Sequence, residues 1–135
     1  MVTVIGHSLG AALALLDGVP LRLLLAPTTD VRVVGYGMPR VGNQGFVSFV
    51  DAILLNSVKR INNKHDPIPI LPARFFGYDH VLGEIYIQET GEWIECPGQD
   101  NKDPRCIVGA VPSIFQAKFS DHSGPYNKIM LKCGS

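Results

Sequence analysis

Hydrophobic positions along the chain change period from segment to segment, and each change marks an element. Residues 2–6 form a short continuous apolar strand, of the kind that lies in a parallel sheet with both faces covered. Residues 9–16 are rich in alanine and leucine and predict a helix, with Gly18 and Pro20 expected to disturb whatever follows. A second strand is predicted over residues 31–36. Phe46, Phe49, Val50, Ile53 and Leu54 then recur at helical spacing, so residues 43–55 predict an amphipathic helix. Residues 58–62 read as a third strand, after which Pro67, Pro69 and Pro72 enforce an extended loop. Residues 83–88 and 92–95 predict an antiparallel pair joined through Thr90-Gly91, and from Cys96 the chain reads as loop until residues 111–119. Strand, helix, strand, helix, strand with short links defines an α/β class with a mostly parallel sheet.

Composition narrows the function without choosing it. A chain of 135 residues, 46% hydrophobic and 18% charged, makes one domain's worth of soluble protein with a real core. Twelve basic and twelve acidic side chains cancel, which argues against nucleic acid or an acidic membrane surface as partner. The longest apolar stretch, residues 9–27, carries Asp17 and Arg22 and is too polar for a spanning helix. No export signal and no N-x-S/T sequon is visible.

The chemistry begins at Gly6-His7-Ser8-Leu9-Gly10, a G-x-S-x-G placed between a predicted strand and a predicted helix. That context matches the nucleophile elbow of α/β-hydrolases, a sharp turn that would lift a serine hydroxyl clear of the backbone. Ser8 is the candidate nucleophile, and the Leu9 amide, at the helix start, would face a developing oxyanion. Small residues at Gly10, Ala11 and Ala12 are expected to let that helix pack closely on the sheet. A serine hydroxyl needs a base and an orienting acid, in the chain order Ser, Asp or Glu, His for this fold. Asp66 directly follows the third strand, at the sheet end where such folds place their sites. His7 belongs to the turn and is expected to point away, and His65 adjoins Asp66, where neighbours on extended chain diverge. His80 and His122 stay open as bases. His80 leads into a strand, which fits a structural role, whereas His122 lies in a loop free to fold back, so spacing favours His122.

Four stretches together, Val4 to Ala11, Tyr36 to Asn43, Asn63 to Pro69 and Asp121 to Tyr126, resemble the C-terminal half of a class 3 lipase, the fungal triacylglycerol lipase family. They run in family order, nearly end to end. The resemblance implies the α/β-hydrolase fold, with Ser8 as nucleophile, Asp66 as the acid that orients the base, and His122 as general base and acid. His80 matches a non-catalytic position, and residues 36–43 carry a strand into the next helix. The implied reaction is two-step acyl transfer on a carboxylic ester, a lipid at a lipid–water interface, with no metal and no organic cofactor. A feruloyl esterase of the same fold is the runner-up, and a non-catalytic remnant is the alternative from another class. The run Asp100, Asn101, Asp103 lacks calcium-loop spacing and reads as a solvated loop.

The resemblance also implies a secreted protein with a disulfide between Cys96 and Cys106, which bracket a polar loop that gains from covalent closure. Cys133 then has no evident partner. In the family a long segment precedes the elbow and holds further strands, a lid and the second oxyanion donor. The expectation is therefore a partial domain over residues 1–135, beginning at the elbow strand and lacking that second donor.

Overall fold

The computed structural model describes residues 1–131. Five strands form one sheet in the order of the chain: β1 (Val2–His7), β2 (Val31–Tyr36), β3 (Val58–Asn63), β4 (Glu84–Ile87) and β5 (Trp93–Cys96). Pairings from β1 through β4 are parallel, and β5 returns antiparallel on β4. Helices α1 (Leu9–Leu24) and α2 (Gln44–Ile53) supply the crossovers between the first three strands, as a parallel sheet requires. The sheet is thus mostly parallel and flanked by helices, as the alternation of apolar patterns implied.

The largest of three buried clusters joins the helices to the first strands. Ala11, Ala14 and Leu15 of α1 and Val47, Val50 and Leu54 from α2 and its end pack with Val31 and Val33 of β2 and Val58 of β3. Asn43 begins α2 by accepting the Phe46 N–H on its side-chain oxygen at 3.0 Å, an N-cap that satisfies one otherwise orphaned donor.

Two expectations about these elements fail. Helix α1 runs straight past Gly18 and Pro20 to Leu24. Gly18 is the point of closest approach to the sheet, where a Cβ would stand 2.5 Å from Val33 Cγ2, so its missing side chain serves packing. Pro20 lies on the exposed side, where water reaches the carbonyl that loses its partner. Residues 111–119 form no long element; short turns occupy the region, with α3 (Ile107–Ala110) before them and a 3₁₀ turn at Ile114–Gln116. Among the described residues β1 is an edge of the sheet, with Ile5 64% exposed and Leu9 and Leu13 exposed as well, an apolar strand whose outer side has no neighbour there.

The loop between Cys96 and Cys106 is closed by a disulfide. Its interior is not solvated as expected: Asp100 is buried, and its Oδ1 accepts from Arg40 Nη2 at 2.6 Å and Arg40 Nε at 2.9 Å. Its Oδ2 accepts the His80 N–H at 2.8 Å. Burial by itself would raise the Asp100 carboxyl; the Arg40 guanidinium outweighs it and holds the group below the usual carboxylate range. Arg40 also donates through Nη1 to the carbonyls of Ile70 and Pro72. It thereby ties the cystine loop to the segment after Asp66. Cys133 lies outside the described residues.

Candidate active site

The C-terminal ends of β1, β2 and β3 converge, and each contributes one part of the site. At the end of β1 the chain turns sharply at Ser8, with φ 58° and ψ −128°, a conformation that side chains rarely adopt and that costs on the order of 1–3 kcal/mol. The turn is fixed from both sides: Ser8 N–H donates to the Tyr36 carbonyl at 2.9 Å, and α1 starts at the next residue. A Cβ at Gly6 would collide with the Gly10 carbonyl, so only glycine allows the strand and helix to meet this closely. Gly10 itself faces open space among the described residues; its expected packing role falls to Gly6, Ala11 and Ala12.

The Leu9 amide is the first N–H of α1 and has no acceptor within the helix. It adjoins the Ser8 side chain at the positive end of the helix dipole, which suits it to a developing negative charge.

The loop after β3 delivers Asp66, fully buried. Its Oδ1 accepts the Ile68 N–H at 2.8 Å, and its two oxygens stand 3.1 and 2.9 Å from His122 Nδ1. This contact fixes the tautomer: Nδ1–H donates to the carboxylate, and Nε2 is left free for a hydroxyl. His122 itself lies in a 3₁₀ segment, Phe119–Ser123, whose position is set by its backbone. Asn63 Nδ2 donates to the Asp121 carbonyl at 2.9 Å. The His122 carbonyl accepts from His7 Nε2 at 2.8 Å and from the Tyr126 hydroxyl at 3.3 Å. The Ser8 hydroxyl makes no hydrogen bond among the described residues.

Three supporting residues were not legible beforehand. His7 does not point away: its ring stacks on that of His122 with centroids 4.5 Å apart. The final residue of β1 carries its side chain over the sheet end, and the third segment folds onto it. Gly37, at φ 55°, packs its bare Cα against the His122–Asp66 contact, where a Cβ would come within 2.8 Å of Asp66 Oδ2 and 2.9 Å of His122 Nδ1. Its place directly after a strand and within the stretch Tyr36 to Asn43 gave no sign of this contact. Tyr126 is buried beneath the same pair, and burial, followed by the Asp66 carboxylate, pushes its phenol up. His80 is buried elsewhere and binds the Pro69 carbonyl through Nε2 at 2.7 Å, a structural role as expected. Cys96 and Cys106 approach Glu84, but the disulfide leaves them no thiolate for a metal.

A mostly parallel sheet whose first strand ends in a strained serine turn at a helix start, with a part-buried His–Asp contact at the same sheet end, is the α/β-hydrolase fold. The chain belongs to the class 3 lipase family, whose model, "Lipase (class 3)", matches residues 1–76. It is 36% identical over 129 residues to a secreted mono- and diacylglycerol lipase of Gibberella zeae, covering 84% of this chain and 31% of that protein. The Lip2 lipase of Yarrowia lipolytica superposes with a TM-score of 0.77 at 30% identity, over 95% of this chain and 47% of that one. A triacylglycerol lipase structure described as having a serine-protease triad at its catalytic centre gives 0.76 at 27% identity, over 96% of this chain and 48% of that one. The chain thus spans about a third to a half of the length of these relatives.

Proposed function

We propose that residues 1–135 are part of an α/β-hydrolase domain and carry the nucleophile, base and acid of a secreted carboxylic ester hydrolase that acts on acylglycerol-type lipids. The observation that carries this reading is the His122–Asp66 contact, formed at 2.9 Å beside the strained Ser8 turn by three segments far apart in sequence. Ser8 attacks the ester carbonyl while His122 Nε2 takes its proton. The Leu9 amide stabilises the oxyanion, and His122 returns the proton to the departing alcohol. Water activated by the same imidazole then releases the fatty acid from the acyl-enzyme. Asp66 holds the ring in its tautomer and stabilises the imidazolium throughout.

Lipid as substrate is supported by the relatives' names and by an apolar surface of the chain. An apolar groove of about 420 Å³ runs beside the segment that follows Asp66, lined by Ile70, Leu71, Phe75, Val111 and Ile114. Phe75, Phe76 and Phe115 are exposed around it, aromatic surface suited to a lipid–water interface. Secretion is supported by the relatives' names and by the buried disulfide, which belongs to an oxidising compartment. Among the described residues no helix is long and apolar enough to cross a membrane. The test is a fluorophosphonate probe: it labels Ser8 alone, and labelling is lost in Ser8→Ala and strongly slowed in His122→Ala. Labelling that persists in Ser8→Ala refutes the assignment.

A further inference from the structure

On the outer side of the same loops lies a second group of polar side chains that ester hydrolysis does not use. His65, Glu89 and Asp121 each offer a ligand atom, and these atoms all lie within 4.8 Å of one another. We propose that this group is a binding site for a divalent transition-metal ion, Zn²⁺ in the first instance, an inference independent of the hydrolase reading.

Three separate chain segments build the site, and backbone contacts fix their spacing. Lys64 N–H donates to the Ile87 carbonyl at 2.8 Å, which holds the loop after β3 against the end of β4. Lys118 N–H donates to the His65 carbonyl at 2.8 Å, and His65 N–H donates to Asp121 Oδ2 at 3.1 Å. These contacts bring an imidazole and two carboxylates from positions 65, 89 and 121 to one point, and leave their outer side open to solvent. His65 Nδ1 and Glu89 Oε1 stand 2.6 Å apart, closer than two ligands of one zinc ion. Bonds of about 2.0–2.1 Å at tetrahedral angles need roughly 3.3 Å between ligand atoms. The Glu89 side chain is 49% exposed and rotates by that amount at little cost. An imidazole with two carboxylates selects zinc, copper or nickel over calcium and magnesium, which prefer oxygen alone.

One cation already competes for the place. Lys118 Nζ lies 3.3 Å from Glu89 Oε1, on a flexible stem that is 59% exposed. An arriving metal ion displaces this ammonium into water. The consequence reaches the reaction centre, because His65 precedes Asp66 and Asp121 precedes His122: a bound ion clamps together the two loops that carry the acid and the base.

The experiment is calorimetric titration of the purified protein with Zn²⁺, repeated in Glu89→Gln, His65→Asn, His122→Gln and Lys118→Met. One equivalent should bind and raise the melting temperature. Affinity should fall at least tenfold in Glu89→Gln and His65→Asn, persist in His122→Gln, and rise severalfold in Lys118→Met, where the competing charge is gone. Ca²⁺ at tenfold excess should not displace the zinc. Because Glu89→Gln and Lys118→Met change exposed side chains without changing their shape much, both remain readable if His65→Asn unfolds. Affinity unchanged in Glu89→Gln, or lost in His122→Gln alone, overturns the assignment, as does displacement by Ca²⁺.

Discussion

Replacing Gly37 by alanine tests whether the His122–Asp66 contact is the working part of this site. The backbone there sits at φ 55°, where a side chain costs about 1–2 kcal/mol, so the fold should survive with a melting temperature lower by several degrees. The new methyl group is the larger perturbation. It would stand 2.8 Å from Asp66 Oδ2 and 2.9 Å from His122 Nδ1, against the 3.4–4 Å of an ordinary contact. One of the two side chains must therefore shift by about half an ångström. Asp66 is fully buried and bonded to Ile68 N–H, so the imidazole is the group that moves. If His122 is the base proposed above and must reach Ser8 in line, a displacement of that size costs about 10- to 100-fold in turnover, given that 1 Å of misplacement costs about 100-fold. Substrate binding away from the base is untouched, so kcat should fall while KM holds. The assay is steady-state hydrolysis of a short-chain p-nitrophenyl ester alongside a melting curve. A Gly37→Ala protein with turnover within threefold of the parent would show that the contact does not orient the base, and the reasoning from this geometry would fail.

Other outcomes follow from the same packing. Gly6→Ala should prevent stable folding, because its methyl group meets the Gly10 carbonyl, whereas Gly10→Ala should match or exceed the parent's melting temperature; equal effects would contradict the elbow geometry. Asp100→Ala leaves the Arg40 guanidinium buried without its partner and should cost about 3–5 kcal/mol, seen as a melting point lower by roughly 10 °C or more; a shift under about two degrees would show the pair to be dispensable. Burial, then the neighbouring Arg60, lowers the His80 pKa well below its ordinary 6.5. The unfolded chain therefore binds a proton that the folded one refuses, and stability contributed there is full above that value and lost as pH falls. Melting temperature should decline from about pH 7 to 5, and His80→Gln should flatten that slope.

Local pattern was enough for most of the architecture. The strands and α2 follow from short apolar runs and helical spacing, because each such segment has one way to bury its apolar side. The serine turn was legible for a similar reason: strand, G-x-S-x-G and helix start are contiguous, so the chemistry and its backbone lie in one stretch. Asp66 and His122 were reached through chain order and a family pattern, and the structure brings them together. The extent of α1 was misread because Gly18 and Pro20 weigh against a helix locally, while the close approach of Gly18 to Val33 outweighs that propensity.

What only the tertiary structure decided are contacts between segments that no spacing predicts. The stacking of His7 on His122 joins residues 115 positions apart, and the Arg40–Asp100 pair joins residues 60 apart. Asp100 looked like a loop acid in water because its neighbours in sequence are polar; its neighbours in space are Arg40 and the His80 N–H, in a buried pocket. The grouping of His65, Glu89 and Asp121 arises in the same way, from three loops meeting at one end of the sheet. Sequence determines the elements because their apolar periods are local. The meeting of charged and catalytic side chains depends on how loops close over the sheet, and the chain order carries no periodic trace of that closure.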